Sequence, residues 1–431
     1  MNFYPIARAI TFSTAGSVLL AVPTLASAAF IEDSTANLGF RNLYMNQDTR
    51  HAEDTLENKT KEEWSQAFIL DYKSGFTEGT IGFGVDIYAA TAIKLDSGPG
   101  RSPDSFPQRS TSSSSIKGKK SVDNFGKLGG TFKAKVSETV LQVGTLMPRM
   151  PMLQANLQGR ILPQLFNGGI LTSNEIDGLT ARLGHIDRVN YRNSTNYERM
   201  RMNGLGKGLE FKKGADKTSN SFDLASIDYK WNDQLTTGYN FGRLEDLYKQ
   251  HIVTAVHTLP LGDQRSLKTD LRASRSTDDG KTNVDNKAFS GMVTYNFGFN
   301  KLGLGYQKMT GDTGYAYVQG SDPFLVNYVA NREFGAKDEK SWQVRHDYNF
   351  AGLGIPGLTM FNRYVKGTGA DLGRNKPEGR EWERDFDISY AIQEGALKNF
   401  NVRWRNSTVR SNINKDLDDN RLILAYTLPL L

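Results

Sequence analysis

The chain has 431 residues, with 53 Lys and Arg against 47 Asp and Glu, a formal net charge of +6 and no cysteine. So small a cationic excess over this length argues against a nucleic-acid partner, and the lack of cysteine excludes a disulfide-held framework. The hydrophobic fraction is 38% and the mean hydropathy −0.50, and past the first residues no stretch is apolar enough for a spanning helix. A β structure in which only alternate residues meet an apolar surface gives the same average. The 42 Gly against 13 Pro, with 18 Tyr and 23 Phe, favour that reading.

The chain opens on a targeting segment. Arg8 is the only charge before the apolar run Ile10 to Leu25, which Ser and Thr interrupt, and Ala26-Ser27-Ala28 fits an A-x-A cleavage site. The run is shorter than the roughly 20 residues a membrane helix needs. Residues 1–28 are therefore expected to be a cleaved signal peptide, and 29–431 a single exported domain.

Period-two segments follow from end to end. In Leu224 to Trp231, Ala225, Ile227, Tyr229 and Trp231 share one face, with Ser226, Asp228 and Lys230 opposite. In Trp342 to Asn349, Trp342, Val344, His346 and Tyr348 oppose Gln343, Arg345 and Asp347. In Val402 to Asn406, Val402 and Trp404 oppose Arg403 and Arg405. Alternation of this kind marks strands with one apolar face. Helical spacing would scatter the charges around the axis.

Connector lengths also alternate. Short ones are expected at Ser137-Glu138, Asn174 to Asp177, Asn232 to Gln234, Leu261 to Gln264, Gly298 to Asn300 and Gln393 to Lys398. Long polar ones are expected at Asp48 to Lys61, Lys94 to Gly126, Asn190 to Asn220, Thr310 to Lys340 and Gly367 to Gly379. The Ser-rich run Arg109 to Ser115 falls in one of them. Short turns at one end and long loops at the other are the arrangement of an outer-membrane barrel. The fold class is therefore all-β, a transmembrane antiparallel β-barrel of about 18 strands. Aromatics near strand ends, such as Phe40, Tyr44, Trp64, Phe68, Tyr239, Phe241, Tyr295, Phe297 and Tyr390, suit interfacial girdles. The last segment, Arg421 to Leu431, is an apolar alternating strand, although Leu431 stands where such barrels usually end on an aromatic.

A charge facing lipid at mid-membrane costs roughly 2–4 kcal/mol, so charges in phase with the polar face belong inside. That assigns Arg41, Lys133, Lys135, Arg182, Arg272, Arg345, Arg363, Arg403, Arg405 and Arg421 to the lumen. Several lie on the last strands, and the last strand must close on the first. Arg345, Arg363, Arg403, Arg405, Arg421 and Arg41 are thus expected to form one basic stretch of wall, which gives anions successive weak sites. Glu383, Asp385 and Asp387 lie on the intervening strand and are expected to pair with Arg403 and Arg405. Arg384 shares a phase with Trp382 and Phe386 and is expected near the headgroups. Met147 to Phe166 is too rich in Pro and apolar residues for a solvated loop. Folded inward, it places Arg149 or Arg160 at a constriction.

No catalytic or metal-binding constellation stands out. His51, His185, His251, His257 and His346 are scattered, without H-E-x-x-H or G-x-S-x-G, and no cofactor is expected.

The motifs together resemble the OprD family of substrate-specific outer-membrane porins. The resemblance rests on Phe30 to Ser34 with Arg41-Asn42, on Phe125 to Gly130, on Gly144 to Pro148, and on Gly159 to Gln164, with Ile161 where the family pattern has Leu. It continues in Glu175 to Thr180, Glu381 to Asp385, Leu397 to Asn399 and Arg403 to Asn406. It implies a barrel of about 18 strands, an eyelet narrowed by an inward loop, and a basic ladder guiding carboxylate-bearing nutrients. Under it Arg160 is the eyelet arginine, and Arg403 and Arg405 are ladder members.

The expected partners are small carboxylate-bearing solutes and outer-membrane lipid, in a monomer or weak homotrimer of the bacterial outer membrane. The alternatives are a general diffusion pore, an adhesin or structural barrel, and last an outer-membrane hydrolase.

Overall fold

The computed structural model describes residues 27–50, 60–96, 106–107, 121–155, 159–204 and 208–431. The Ser-rich run Arg109 to Ser115 and nearly all of the expected signal segment lie outside them. A short helix, Ser27–Glu32, precedes the strands.

Eighteen strands form one sheet. They are β1 Thr35–Arg50, β2 Thr60–Lys73, β3 Gly82–Asp96, β4 Asn124–Val136, β5 Thr139–Leu146, β6 Leu165–Ile176, β7 Leu179–Asn190, β8 Phe222–Lys230 and β9 Leu235–Leu244. They continue as β10 Tyr248–Pro260, β11 Arg265–Asp278, β12 Asp285–Phe297, β13 Asn300–Thr310, β14 Lys340–Asn349, β15 Leu358–Ala370, β16 Gly379–Ala391, β17 Asn401–Ser411 and β18 Asp416–Pro429. Each pairs antiparallel with its neighbours in the chain. β18 then closes on β1, with Arg41 opposite Ala425 and Met45 opposite Arg421. Closure satisfies every strand edge, as a hydrocarbon surround requires.

The burial pattern is that of a membrane barrel. Leu304 is 65% exposed and Leu183 59%, while Asn240 and Gln307 are fully buried. The apolar face is turned outward to lipid and the polar face inward. Outward aromatics gather near the strand ends, as Phe40 against Phe68 and Tyr426, and Trp342 against Tyr364 and Tyr364 against Trp382.

The alternation of connector length holds with two corrections. Glu175 does not sit in a turn. It stays in β6 at a bulge, because its carboxylate accepts bonds from the Glu138 amide at 2.8 Å and from the Ser137 and Thr139 hydroxyls, each at 2.8 Å. The turn falls at Asp177-Gly178, where Gly178 takes a φ of 73°. At the long-loop end, 245–247, 279–284 and 412–415 are short. The connectors at that end are numbered L1 to L9 in chain order. L3 is then 147–164, L4 is 191–221, L7 is 311–339 and L8 is 371–378.

Two apolar cores lie inside the barrel and explain why L3 turns inward. Met150, Met152, Leu153 and Ala155 from the first half of L3 pack with Phe166, Ile186, Phe222 and Tyr248. Ile161 and Leu162 from its second half pack with Leu43, Met45, Ala67 and Ile423. These clusters lie on different parts of the wall, so L3 reaches across the interior. The burial of that apolar surface away from lumen water drives the inward path.

Candidate functional site

The basic wall is built by β14 to β18 and β1. Arg345 and Arg363 are directly opposed on β14 and β15, and Arg405 and Arg421 on β17 and β18. Each has a carboxylate partner two residues along its own strand or on a neighbouring strand, because residues of one phase share a face.

Arg345 makes a two-point contact with Asp347, Nε to Oδ2 at 2.7 Å and NH2 to Oδ1 at 2.6 Å, and its guanidinium lies 4.4 Å from the Phe361 ring centre. Arg363 Nε donates to Asp385 Oδ2 at 2.6 Å. Arg403 Nε donates to both Asp387 oxygens at 2.8 and 2.9 Å, and Arg405 Nε to Asp387 Oδ2 at 2.9 Å. Arg421 is held by Asp419, with Nε 3.1 Å from each oxygen, and its NH1 donates to the Gly159 carbonyl of L3 at 3.0 Å. Arg41 lies in the field of Arg403, Arg405 and Arg421, so these four form one group, and Arg363 and Arg345 continue it on β15 and β14.

One detail sets the chemistry of this wall. Arg363, Arg403 and Arg405 are gripped through Nε, and their terminal NH1 and NH2 groups make no hydrogen bond to another described residue. Asp387 serves two guanidiniums. The carboxylates thus orient the arginines and partly offset their charge, and the outer edge of each planar fork keeps its donors for a ligand.

The two L3 arginines both approach β1, at different residues. Arg149 lines a cavity of about 530 Å³ with Arg41, Asp71, Lys73, Tyr88 and Ile161. Arg160 NH1 lies 3.6 Å from the Met45 sulfur on β1 and in the field of Tyr328 on L7. Residues Arg149 and Met150 form a short ladder with Gln154 and Leu153, which stiffens the first half of L3.

The remaining expected lumen residues do face inward and stand apart from the row. Lys133 meets Asp86 at 2.6 Å and the Ser74 carbonyl at 2.9 Å. Lys135 lies at the turn beside Glu138, 3.5 Å away. Arg182 pairs with Asp228 at 2.7 Å. Arg272 pairs with Asp270 at 2.8 Å and lies under the Phe324 ring of L7, 3.9 Å from its centre. Glu383 takes no arginine of β17. It is buried and accepts the Asn331 amide of L7 at 2.9 Å. Arg384 faces outward, as its phase requires, opposite Tyr364.

L7 is the part of the site that sequence reasoning missed. Read as a long polar loop, it folds into the barrel. Ala155 of L3 bridges to Ser321, the Asp322 amide donates to the Gln154 carbonyl at 3.1 Å, and Gln164 Nε2 donates to the Gln319 carbonyl at 3.2 Å. Gly320 allows this approach, since a Cβ there would collide with the Gln164 amide, and its φ is 81°. Tyr328 donates to Asp322 at 2.8 Å, and burial followed by the Asp322 charge pushes its phenol far above the usual range. The signal was available. Tyr315, Tyr317, Phe324, Leu325 and Tyr328 make L7 as apolar as the segment that marked L3. Lys127 was also missed. From β4 it donates to the carbonyls of Pro163 at 2.9 Å and Tyr191 at 2.7 Å and to Asn190 Oδ1 at 2.9 Å, tying L3 to L4.

Among the described residues no group of His, Asp and Glu is placed to hold a metal ion. A closed barrel of eighteen strands, lipid-facing outside and lined with ion pairs inside, defines a membrane channel. Comparison with known proteins places it more closely. The model of the outer membrane porin OprD family matches residues 28–430. The porin-like protein GalP of Pseudomonas putida is 36% identical over 428 residues, covering 95% of this chain and 98% of that one. The crystal structure of OpdQ from Pseudomonas aeruginosa is 48% identical with a TM-score of 0.84, covering 94% of this chain and 100% of that chain. OpdK of the same organism, solved with vanillate, is 33% identical with a TM-score of 0.83, covering 93% and 100%. The chain belongs to the OprD family of outer-membrane porins. It is a channel of the bacterial outer membrane and not an enzyme.

Proposed function

We propose that this porin passes small carboxylate-bearing solutes by passive diffusion along the wall of Arg345, Arg363, Arg403, Arg405, Arg421 and Arg41, through an eyelet narrowed by L3 and L7 at Arg149 and Arg160. Residues 1–28 are read as the signal peptide that directs export.

The observation that carries this reading is the grip of Asp385 and Asp387 on the Nε side of Arg363, Arg403 and Arg405, which keeps their terminal amino groups for a ligand. A carboxylate fits two such donors side by side. Because Arg345, Arg363, Arg403, Arg405 and Arg421 each already have a carboxylate, these sites bind weakly, and a weak series favours conduction over trapping. The vanillate in the OpdK structure, an aromatic carboxylate, agrees with this class.

Planar-bilayer recording tests it. The purified porin is expected to favour anions under a salt gradient, and its current to be interrupted by benzoate or vanillate and not by neutral benzyl alcohol. Equal interruption by both compounds, or cation preference with no carboxylate effect, would point to a general diffusion pore instead.

A further inference from the structure

A second set of cations lies outside the lumen. At the long-loop end of β10 to β15, the outward face carries Arg275, Lys287, Lys308, Lys340 and Lys366. The sheet register sets them side by side. His251 is opposite Arg275, and Arg275 opposite Lys287. Lys308 is opposite Phe289 on one side and Lys340 on the other. Lys366 lies between Trp342 and Trp382.

Three features separate this row from ordinary surface lysines. The first is charge. Arg275 pairs with Asp285, which Lys287 also approaches, so one carboxylate faces two cations, while Lys308, Lys340 and Lys366 make no salt bridge to another described residue. Other outward cations at this end carry an acid, as Lys249 does with Asp279 and Arg410 with Asp418. The second is level. Lys366 is in register with Trp342 and Trp382, which with Tyr364 form a belt whose ring centres are 5.6 and 5.7 Å apart, and such belts mark the headgroup zone. The third is shape. His251, Arg275, Lys287 and Lys308 rim a groove of about 570 Å³ whose floor includes Val253, Ala273 and Phe289. Below it the outward wall carries Leu271, Val293 and Leu304.

We propose that this groove binds the phosphorylated glycolipid of the outer leaflet. Its acyl chains lie on Val253, Phe289 and the wall beneath, and its phosphates meet Lys287, Lys308 and Lys340. Long lysine stems reach along apolar surface and present the ammonium at the headgroups, where each adds to the attraction for anionic lipid. Free phosphate lacks anything to place on the apolar floor, and a neutral lipid leaves the ammonium groups without counter-ions. The long-loop end is the extracellular side of outer-membrane barrels, which is the leaflet where this glycolipid resides.

The test uses the full folded porin in detergent, with bisphosphorylated lipid A added in micelles and adducts counted by native mass spectrometry. The wild type is expected to retain lipid A in preference to phosphatidylcholine, with retention falling as salt is raised. The triple variant Lys287→Gln, Lys308→Gln, Lys340→Gln is expected to lose affinity by about tenfold or more, with single-channel conductance unchanged because none of the three faces the lumen. Equal retention by the triple variant overturns the proposal, as does equal retention of phosphatidylcholine. So does millimolar inorganic phosphate displacing the lipid, which would make the groove a phosphate site. If the triple variant fails to fold, the salt dependence of the wild type and the single variant Lys308→Gln decide the matter in the same way.

Discussion

Arg421 of the last strand donates NH1 to the Gly159 carbonyl of L3 at 3.0 Å, while Asp419 holds the rest of its guanidinium. The side chain is almost wholly buried, at 2% exposure, with Asp419 at 1%. One arginine therefore holds the wall and the inward loop L3 at once. Replacing it by Gln leaves the Asp419 charge facing the Gln47 amide, which donates to it at 2.9 Å. Removal of one member of a buried pair costs about 3–5 kcal/mol. Arg421→Gln is expected to lower unfolding stability in urea by that order, and to make the open channel noisier as L3 loses its hold on β18. A variant as stable and as quiet as the wild type would show that the contact does not restrain L3.

Asp387 serves both Arg403 and Arg405. Asp387→Asn removes the shared counter-charge and keeps the shape. Bulk water sets a floor of about 1 kcal/mol on the lost attraction, roughly a fivefold change in an equilibrium, and the Asp387 side chain is only 4% exposed. Stronger anion selectivity and longer blocks by a carboxylate are expected in bilayer records, each by about that factor. Shorter blocks would mean that these two arginines do not meet the solute.

Lys127 ties L3 to L4 through the carbonyls of Pro163 and Tyr191 and the side chain of Asn190. Lys127→Met keeps the apolar stem and removes the donors. A buried acceptor without a donor costs about 1–3 kcal/mol. The variant is expected to unfold earlier in denaturant and to conduct more, because the second half of L3 is freed from β4. Unchanged conductance with lowered stability would confine Lys127 to a folding role.

L7 and L8 are tied at the rim by Lys337 and Asp371, 2.9 Å apart. The bond from Lys337 and the Gly373 amide hold the Asp371 carboxyl below its usual range. A depressed carboxylate contributes fully above its ordinary pKa, and the contribution is lost as pH falls through the lowered value. Voltage-dependent closures are therefore expected to become more frequent as the bath is acidified below the ordinary carboxylate range, and Asp371→Asn is expected to show them already at neutral pH. Closures independent of pH in both proteins would remove this tie from gating.

The phase of the ionic residues was legible in the sequence. Arg345, Arg403 and Arg421 fall on the polar side of period-two strands, and the cost of a charge in lipid assigns that side to the lumen. Their partners were legible by the same rule, since Asp347 and Asp419 lie two residues away in phase, although only Glu383, Asp385 and Asp387 were singled out. Which carboxylate takes which arginine was not legible. Asp385 goes to Arg363 and Asp387 to Arg403 and Arg405 because register, not residue type, decides what stands opposite.

The loops mark the boundary. The apolar and proline content of Met147 to Phe166 was enough to send L3 inward, because local composition reports the free energy of burial. Its meeting with L7 was not readable. Residues 155 and 321 are joined only by the closed barrel, which brings loops from distant strands into one interior. Alternation along one strand is a local property, so the amino-acid sequence by itself determined the barrel, its inside and its outside. The width and lining of the path depend on contacts between segments far apart in the chain, and those exist only once the eighteenth strand has closed on the first.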